Sequence, residues 1–364
     1  MNKDYFLVIK TGQAEIRAIE NTSRATLEKL YPVIELTRGR KRTLEDDTVI
    51  HPFESRLNKL KEALKGMDVA IDVTSDSALS CAEVDAMYEF ENGYEKWVNF
   101  IKGIKDEGCF RIITPALMMN FDDPDYDNNL SAEITELSNY FDTLMYRDTI
   151  EADYCYNDLP FILEKLPKDK KLIILIDCGY TPQAMEENVS QRLLKRIENL
   201  KNSIIDKRCE LAFCATSFPN NISEIGGLNY DEFRIAEVYM HEKVAARFPD
   251  VHYGDYGSIN PKRNDNIIMA RGWIPRIDVP LYKEVFYHRQ RRVGAPYPDT
   301  YEKVAREVLK DPKYPYQLKC WGCSQIELCS TSAPAGSPNY WISVRMNIHI
   351  EQQLRRLKLI DTGK

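Results

Sequence analysis

Residues 171–177 read KLIILID, five apolar residues rich in β-branching that end on an aspartate. Seven more short apolar segments stand in the first 260 residues, at 5–10, 32–37, 68–74, 110–115, 143–148, 209–217 and 251–258, most of them ending on a polar or charged residue. Continuous apolar runs of this length suit strands buried on both faces, as in a parallel sheet. Parallel neighbours need long crossovers, and helical periodicity fills the gaps at 58–65, 94–106, 131–140, 159–166, 184–201 and 231–248. Eight such repeats match a closed (β/α)8 barrel. An open doubly wound sheet usually has fewer strands and a G-x-G-x-x-G first turn, and no such turn follows any of these segments.

The pattern changes after Asn260. Residues 267–279 and 284–292 suggest a strand pair around the turn 280–283, followed by helices at 296–307 and 340–357. The expected architecture is therefore α/β, a TIM-barrel-like body over 1–260 with a C-terminal α+β extension over 261–364 packed on it. Polar stretches at 75–92 and 120–129 follow strand C-terminal ends, where barrels carry specificity loops. Solvated insertions would look the same.

The composition, 43% hydrophobic and 29% charged, is that of a globular protein. A net charge of −7 argues against nonspecific coating of nucleic acid and leaves room for a local basic patch. No apolar run is long enough for a bilayer, and Met1-Asn2-Lys3-Asp4 leads straight into the first strand, so a cytoplasmic protein without membrane contact is expected. Nine cysteines, four of them in or beside strands, suggest reduced thiols.

In a barrel, side chains at strand C-terminal ends converge over the mouth. Here those ends carry Lys10, Glu35, Asp72, Arg147, Asp148 and Asp177. Buried carboxylates need a cation or hydrogen-bond donors, and Lys10, Arg38, Arg147 and Arg271 could partner them. The acids suit three roles. Asp72 and Asp177 could hold Mg2+ or Mn2+ for phosphoester hydrolysis, a pair could act as general acid and base, or all could form a salt-bridged rim. After strands seven and eight, Ser217, Gly254, Asp255, Gly257 and Ser258 suit a phosphate cradle, with Lys262 and Arg263 beyond; a tight turn uses the same residue types.

The five histidines are scattered, and His252 is expected to turn toward the helix layer. Cys320, Cys323 and Cys329 fall short of a four-ligand zinc site and suit free thiols in a turn. Aromatics including Trp273, Trp321 and Trp341, with Arg276, Arg289, Arg291 and Arg292, would suit either stacking on single-stranded nucleic acid or packing of the extension.

The ordered segments YFLVIKTGQAEIRAIENT (5–22), YPVIEL (31–36), YGDYGSINP (253–261), CWGCSQIELC (320–329) and GSPNYWISVRMNIHI (336–350) resemble the beta protein family of bacteria and phages. The resemblance spans nearly the whole chain. It implies a (β/α)8-like body with Lys10, Gly12, Glu35, Gly254, Asp255, Tyr256, Gly257, Trp321, Gly322, Ser337, Pro338 and Trp341 as pattern positions, and an antiviral defence context. The expected function is binding of a phosphate-bearing ligand, a nucleotide or nucleic-acid end, at the barrel mouth, with metal-assisted hydrolysis as its catalytic form. The alternative is a non-catalytic barrel that binds a protein partner, a phage component or the product of a neighbouring gene.

Overall fold

A computed structural model describes residues 4–361 apart from 40–41, 44–45, 47–48, 263–271 and 335–336. Eight parallel strands form the body: β1 (Tyr5–Lys10), β2 (Tyr31–Leu36), β3 (Asp68–Val73), β4 (Ile112–Pro115), β5 (Thr143–Thr149), β6 (Lys171–Tyr180), β7 (Cys209–Thr216) and β8 (Tyr253–Asp255). Their order around the sheet is β4-β3-β2-β1-β8-β7-β6-β5. One parallel bridge, Ala116 to Met145, joins β4 to β5 and completes the ring. The strands are buried almost throughout, because one face fills the lumen and the other meets the helices.

Helices follow the strands in turn: Gln13–Glu20, Phe53–Ala63, Glu91–Asp106, Tyr126–Tyr140, Cys155–Lys165, Glu186–Ser203 and Ala236–Arg247. The eighth position is filled by the last helix of the chain, Pro338–Arg356, which is buried along most of its length. On one side its Met346, Ile350 and Leu354 join the barrel core. On the other, Trp341, Val344 and Ile348 join a second core with Ile277, Val279, Phe286, Tyr301 and Val304. A helix apolar on two sides can satisfy two cores at once.

The extension holds a three-stranded antiparallel sheet in the order Tyr230–Arg234, Glu284–Arg289, Arg276–Pro280, and the helices Tyr297–Lys310 and Trp321–Cys329. The expected hairpin is present; its proposed start at 267–271 and the partner Arg271 lie outside the described residues, as does Arg263. The helix expected over 231–248 is a correction: Tyr230–Arg234 pairs with Glu284–Arg289, and the helix begins only at Ala236. Pairing with a distant strand overrides the local helical pattern there. His252 differs too. It shares the strand face of Gly254 and Tyr256, and its ring lies 5.6 Å from that of Phe6.

Gly254 sits where the strands approach most closely. A Cβ there would lie 2.6 Å from the Phe213 carbonyl oxygen and 2.9 Å from that of Phe6, both backbone atoms that cannot move aside. Gly254→Ala should therefore destabilise the protein by about 1–3 kcal/mol, read as a lower midpoint in urea unfolding; an unchanged midpoint would show that the barrel yields there.

Candidate functional site

The register of the first three strands sets Lys10, Glu35 and Asp72 side by side at one level of the lumen. Lys10 pairs with Glu35. Across the lumen Arg147, from β5, reaches all three nearby acids. Its Nη1 donates to Glu35 Oε2 at 2.9 Å and to Asp72 Oδ2 at 2.7 Å, and its Nε and Nη2 donate to Asp177 Oδ2 at 3.1 and 2.8 Å. Tyr256, just past β8, donates its hydroxyl to Asp177 at 2.7 Å and accepts from Arg147 Nη2 at 2.9 Å. The network has donors on every carboxylate, with backbone N–H groups of Val73 and Gly179 completing Asp72 and Asp177.

Shared cations give the carboxylates different protonation behaviour. Burial pushes the Glu35 carboxyl up, yet the charges of Lys10 and Arg147 outweigh it and hold the group at about 2. Asp72 has burial as its main influence, only Arg147 as a cation, and Glu35 as a repelling neighbour, and stands above the usual carboxylate range. Neighbouring acids with separated affinities can take the roles of base and acid.

Asp148 is not part of this group. Strand alternation turns it from the lumen to the helix layer, where Arg196 binds it together with Cys155 and the Ala152 carbonyl. Burial raises Asp148 to about 6 despite Arg196.

The residues expected to cradle phosphate are turned to internal bonds. Ser217 Oγ caps the helix Ala236–Arg247 by accepting from the Ala236 N–H at 3.0 Å, and the Ser217 N–H donates to Glu237 at 2.9 Å. The Asp255 carboxylate is wholly buried and bonded to Tyr5, Tyr253, the Gly257 N–H and His349, at 2.7 to 2.8 Å. Ser258 accepts from Arg345 at 3.3 Å. Gly254 is enclosed by backbone, as described above.

Beside the network a cleft of about 700 Å³ opens between the mouth and the extension. Lys10, Arg38, Arg56, Lys262, Arg276 and Arg289 line it, with Arg345, against the acids Glu15 and Asp278. Asp278 pairs with both Arg276 and Arg345. The aromatic wall holds Trp273 stacked on Tyr297 at 3.9 Å and Trp341 stacked on Tyr301 at 5.0 Å. Trp341 is 4% exposed, and its indole N–H has no hydrogen-bond partner among the described residues. Sequence reasoning named Trp273, Arg276, Arg289 and Trp341 without placing them at the mouth; Arg56 and Glu15 carried no signal, being ordinary residues of amphipathic helices. Among the described residues no three His, Cys, Asp or Glu side chains group closely enough to hold a metal ion. No helix among them is long and apolar enough to cross a membrane.

A group whose folded affinity for a proton is depressed stabilises the fold above its ordinary pKa and loses that contribution as pH falls toward the folded value. For Glu35 the window runs from about 4.5 down to about 2. Glu35→Gln should cost about 3 kcal/mol at pH 7, and the gap to wild type should close as pH falls through that window. Denaturant unfolding at several pH values measures it; a gap independent of pH would mean that the charge of Glu35 is not what the cations stabilise.

A family model and a phage relative point to one family. A family model described as Beta protein matches residues 5–355. The chain is 25% identical to Protein beta of Enterobacteria phage P4 over 374 aligned residues, which take in 100% of this chain and 96% of that protein. Among solved structures, the spore cortex-lytic enzyme SleL of Bacillus megaterium QM B1551 aligns over 95% of this chain and 74% of its own, with 9% identity and a TM-score of 0.34, a likeness that carries no argument. The match along nearly the whole length makes this chain a member of the Beta protein family.

Proposed function

We propose that the protein binds a phosphate-bearing ligand, a nucleotide or the end of a nucleic-acid strand, in the cleft over the barrel mouth. The observation that carries this reading is the excess of cations in the cleft on a chain whose net charge is −7. Local positive charge against an acidic background is the footprint of a specific anion site. The unpartnered Trp341 N–H offers a further donor, and the aromatic wall suits a base. The carboxylate network lies beside the cleft and meets it at Lys10, and within it Glu35 and Asp72 are the pair with separated proton affinities. No step through a metal belongs to this reading, because the Arg147 guanidinium fills the space between Asp72 and Asp177 that Mg2+ or Mn2+ would need.

A protein partner is the second reading, and one feature favours it. On the loop after β4, Phe121 is 56% exposed and its ring lies 4.5 Å from the tilted ring of Tyr154, itself 49% exposed. Acidic Asp122, Asp125 and Asp127 follow Phe121 in sequence, and Asp153 precedes Tyr154. Exposed aromatic pairs of this kind are frequent anchors of protein interfaces.

Fluorescence anisotropy with labelled single-stranded DNA and RNA, and thermal shift with mononucleotides, test the first reading. Binding should weaken with salt, the logarithmic slope changing by about 0.7 for each phosphate contact. Lys262→Glu should reduce both affinity and slope, while Phe121→Ala should change neither. Absence of any shift or binding at low salt would overturn the cleft reading.

A further inference from the structure

All nine cysteines are free thiols. Most of them are shielded, and burial pushes up Cys155, Cys178, Cys214 and Cys329. Cys320 differs in both place and chemistry. It is the N-cap of the helix Trp321–Cys329 and is partly exposed, and Cys323 lies in the first turn, 2% exposed. The neighbouring Cys323 side chain holds the Cys320 thiol below its usual range against the effect of burial, while the same contact raises Cys323.

The start of this helix is clamped. Gly322 donates its N–H to Asn347 Oδ1 at 2.8 Å, and a Cβ on Gly322 would lie 2.6 Å from the Val344 carbonyl oxygen. The C-terminal helix thus fixes the turn that carries both sulfurs. Cys329 lies two turns further on and does not join them in a metal-binding group.

We propose that Cys320 and Cys323 form a redox dithiol that exchanges with low-molecular-weight disulfides of the glutathione class, a role separate from the cleft. The Cys320 thiolate attacks the disulfide, forming a mixed disulfide and expelling one glutathione thiolate, which takes up a proton. Cys323 then loses its proton and attacks the Cys320 sulfur. A Cys320–Cys323 bond forms and the second thiolate leaves. The protein gives up two electrons and two protons, and one disulfide becomes two thiols. Partial exposure suits Cys320 to attack, and burial suits Cys323 to resolve.

The test uses the full chain, equilibrated with mixtures of reduced and oxidised glutathione, then acid-quenched, alkylated and read by mass spectrometry. The expected result is loss of two hydrogens in the peptide containing Cys320 and Cys323, in a single two-electron transition, with the buried cysteines still reduced. Cys323→Ser should retain glutathione on Cys320, and Cys320→Ser should retain none. The proposal is overturned if the folded wild type stays fully reduced in excess oxidised glutathione, or if modification spreads evenly over all nine cysteines. Wild-type circular dichroism during the titration distinguishes that spread from unfolding, and the outcome is independent of whether the cleft binds nucleotides.

Discussion

One guanidinium holds the barrel mouth together. The register that closes the ring brings Glu35, Asp72 and Asp177 into one layer of the lumen, and Lys10 alone could not neutralise three carboxylates there. Arg147 supplies a flat array of donors that reaches all three, a geometry a lysine could not reproduce. Leaving such acids buried without it would cost about 3–5 kcal/mol for a broken pair. The two cations are divided unequally, and that inequality sets Glu35 and Asp72 apart in proton affinity.

The second fixed point is Asp255, on the opposite face of its strand from the lumen. Four donors converge on its carboxylate, His349 and Tyr5 among them, and hold it below its usual range despite complete burial. Because His349 belongs to the C-terminal helix, this cluster seats the last helix of the chain in the eighth position of the barrel. Asn347 and Glu351 add bonds to Thr22 and Thr26 beside the first barrel helix. A buried carboxylate saturated in this way is a structural anchor, which is why the loop after β8, for all its glycine and serine, turns inward.

The barrel was legible because burial on both faces forces apolar runs, and each of the eight runs became a strand. The acids at the strand ends were legible for the same reason, since a charge at the end of an apolar run must find a partner. Side-chain direction was harder. Arg147 and Asp148 are adjacent, and only the closed ring decides that the first faces the lumen and the second Arg196. Tyr256 entered the sequence reading as a family position, with no hint that its hydroxyl would bridge Arg147 and Asp177. The strand Tyr230–Arg234 was hidden because its partner, Glu284–Arg289, lies some 50 residues away in sequence.

The place of the extension explains the cleft. The chain leaves β8 at the mouth of the barrel, and the helix that should follow at once is delayed until Pro338. Everything between must therefore begin at the mouth and return to it, so residues near Trp273 and Arg276 on the way out and Asn339 and Trp341 on the way back become its wall. The same helix that completes the barrel carries Trp341 and Arg345 to that wall. Completion of the helix layer and formation of the cleft wall are consequently linked: the helix that His349 seats on Asp255 also sets the Trp341 indole and the Arg345 guanidinium along the cleft beside the carboxylate network.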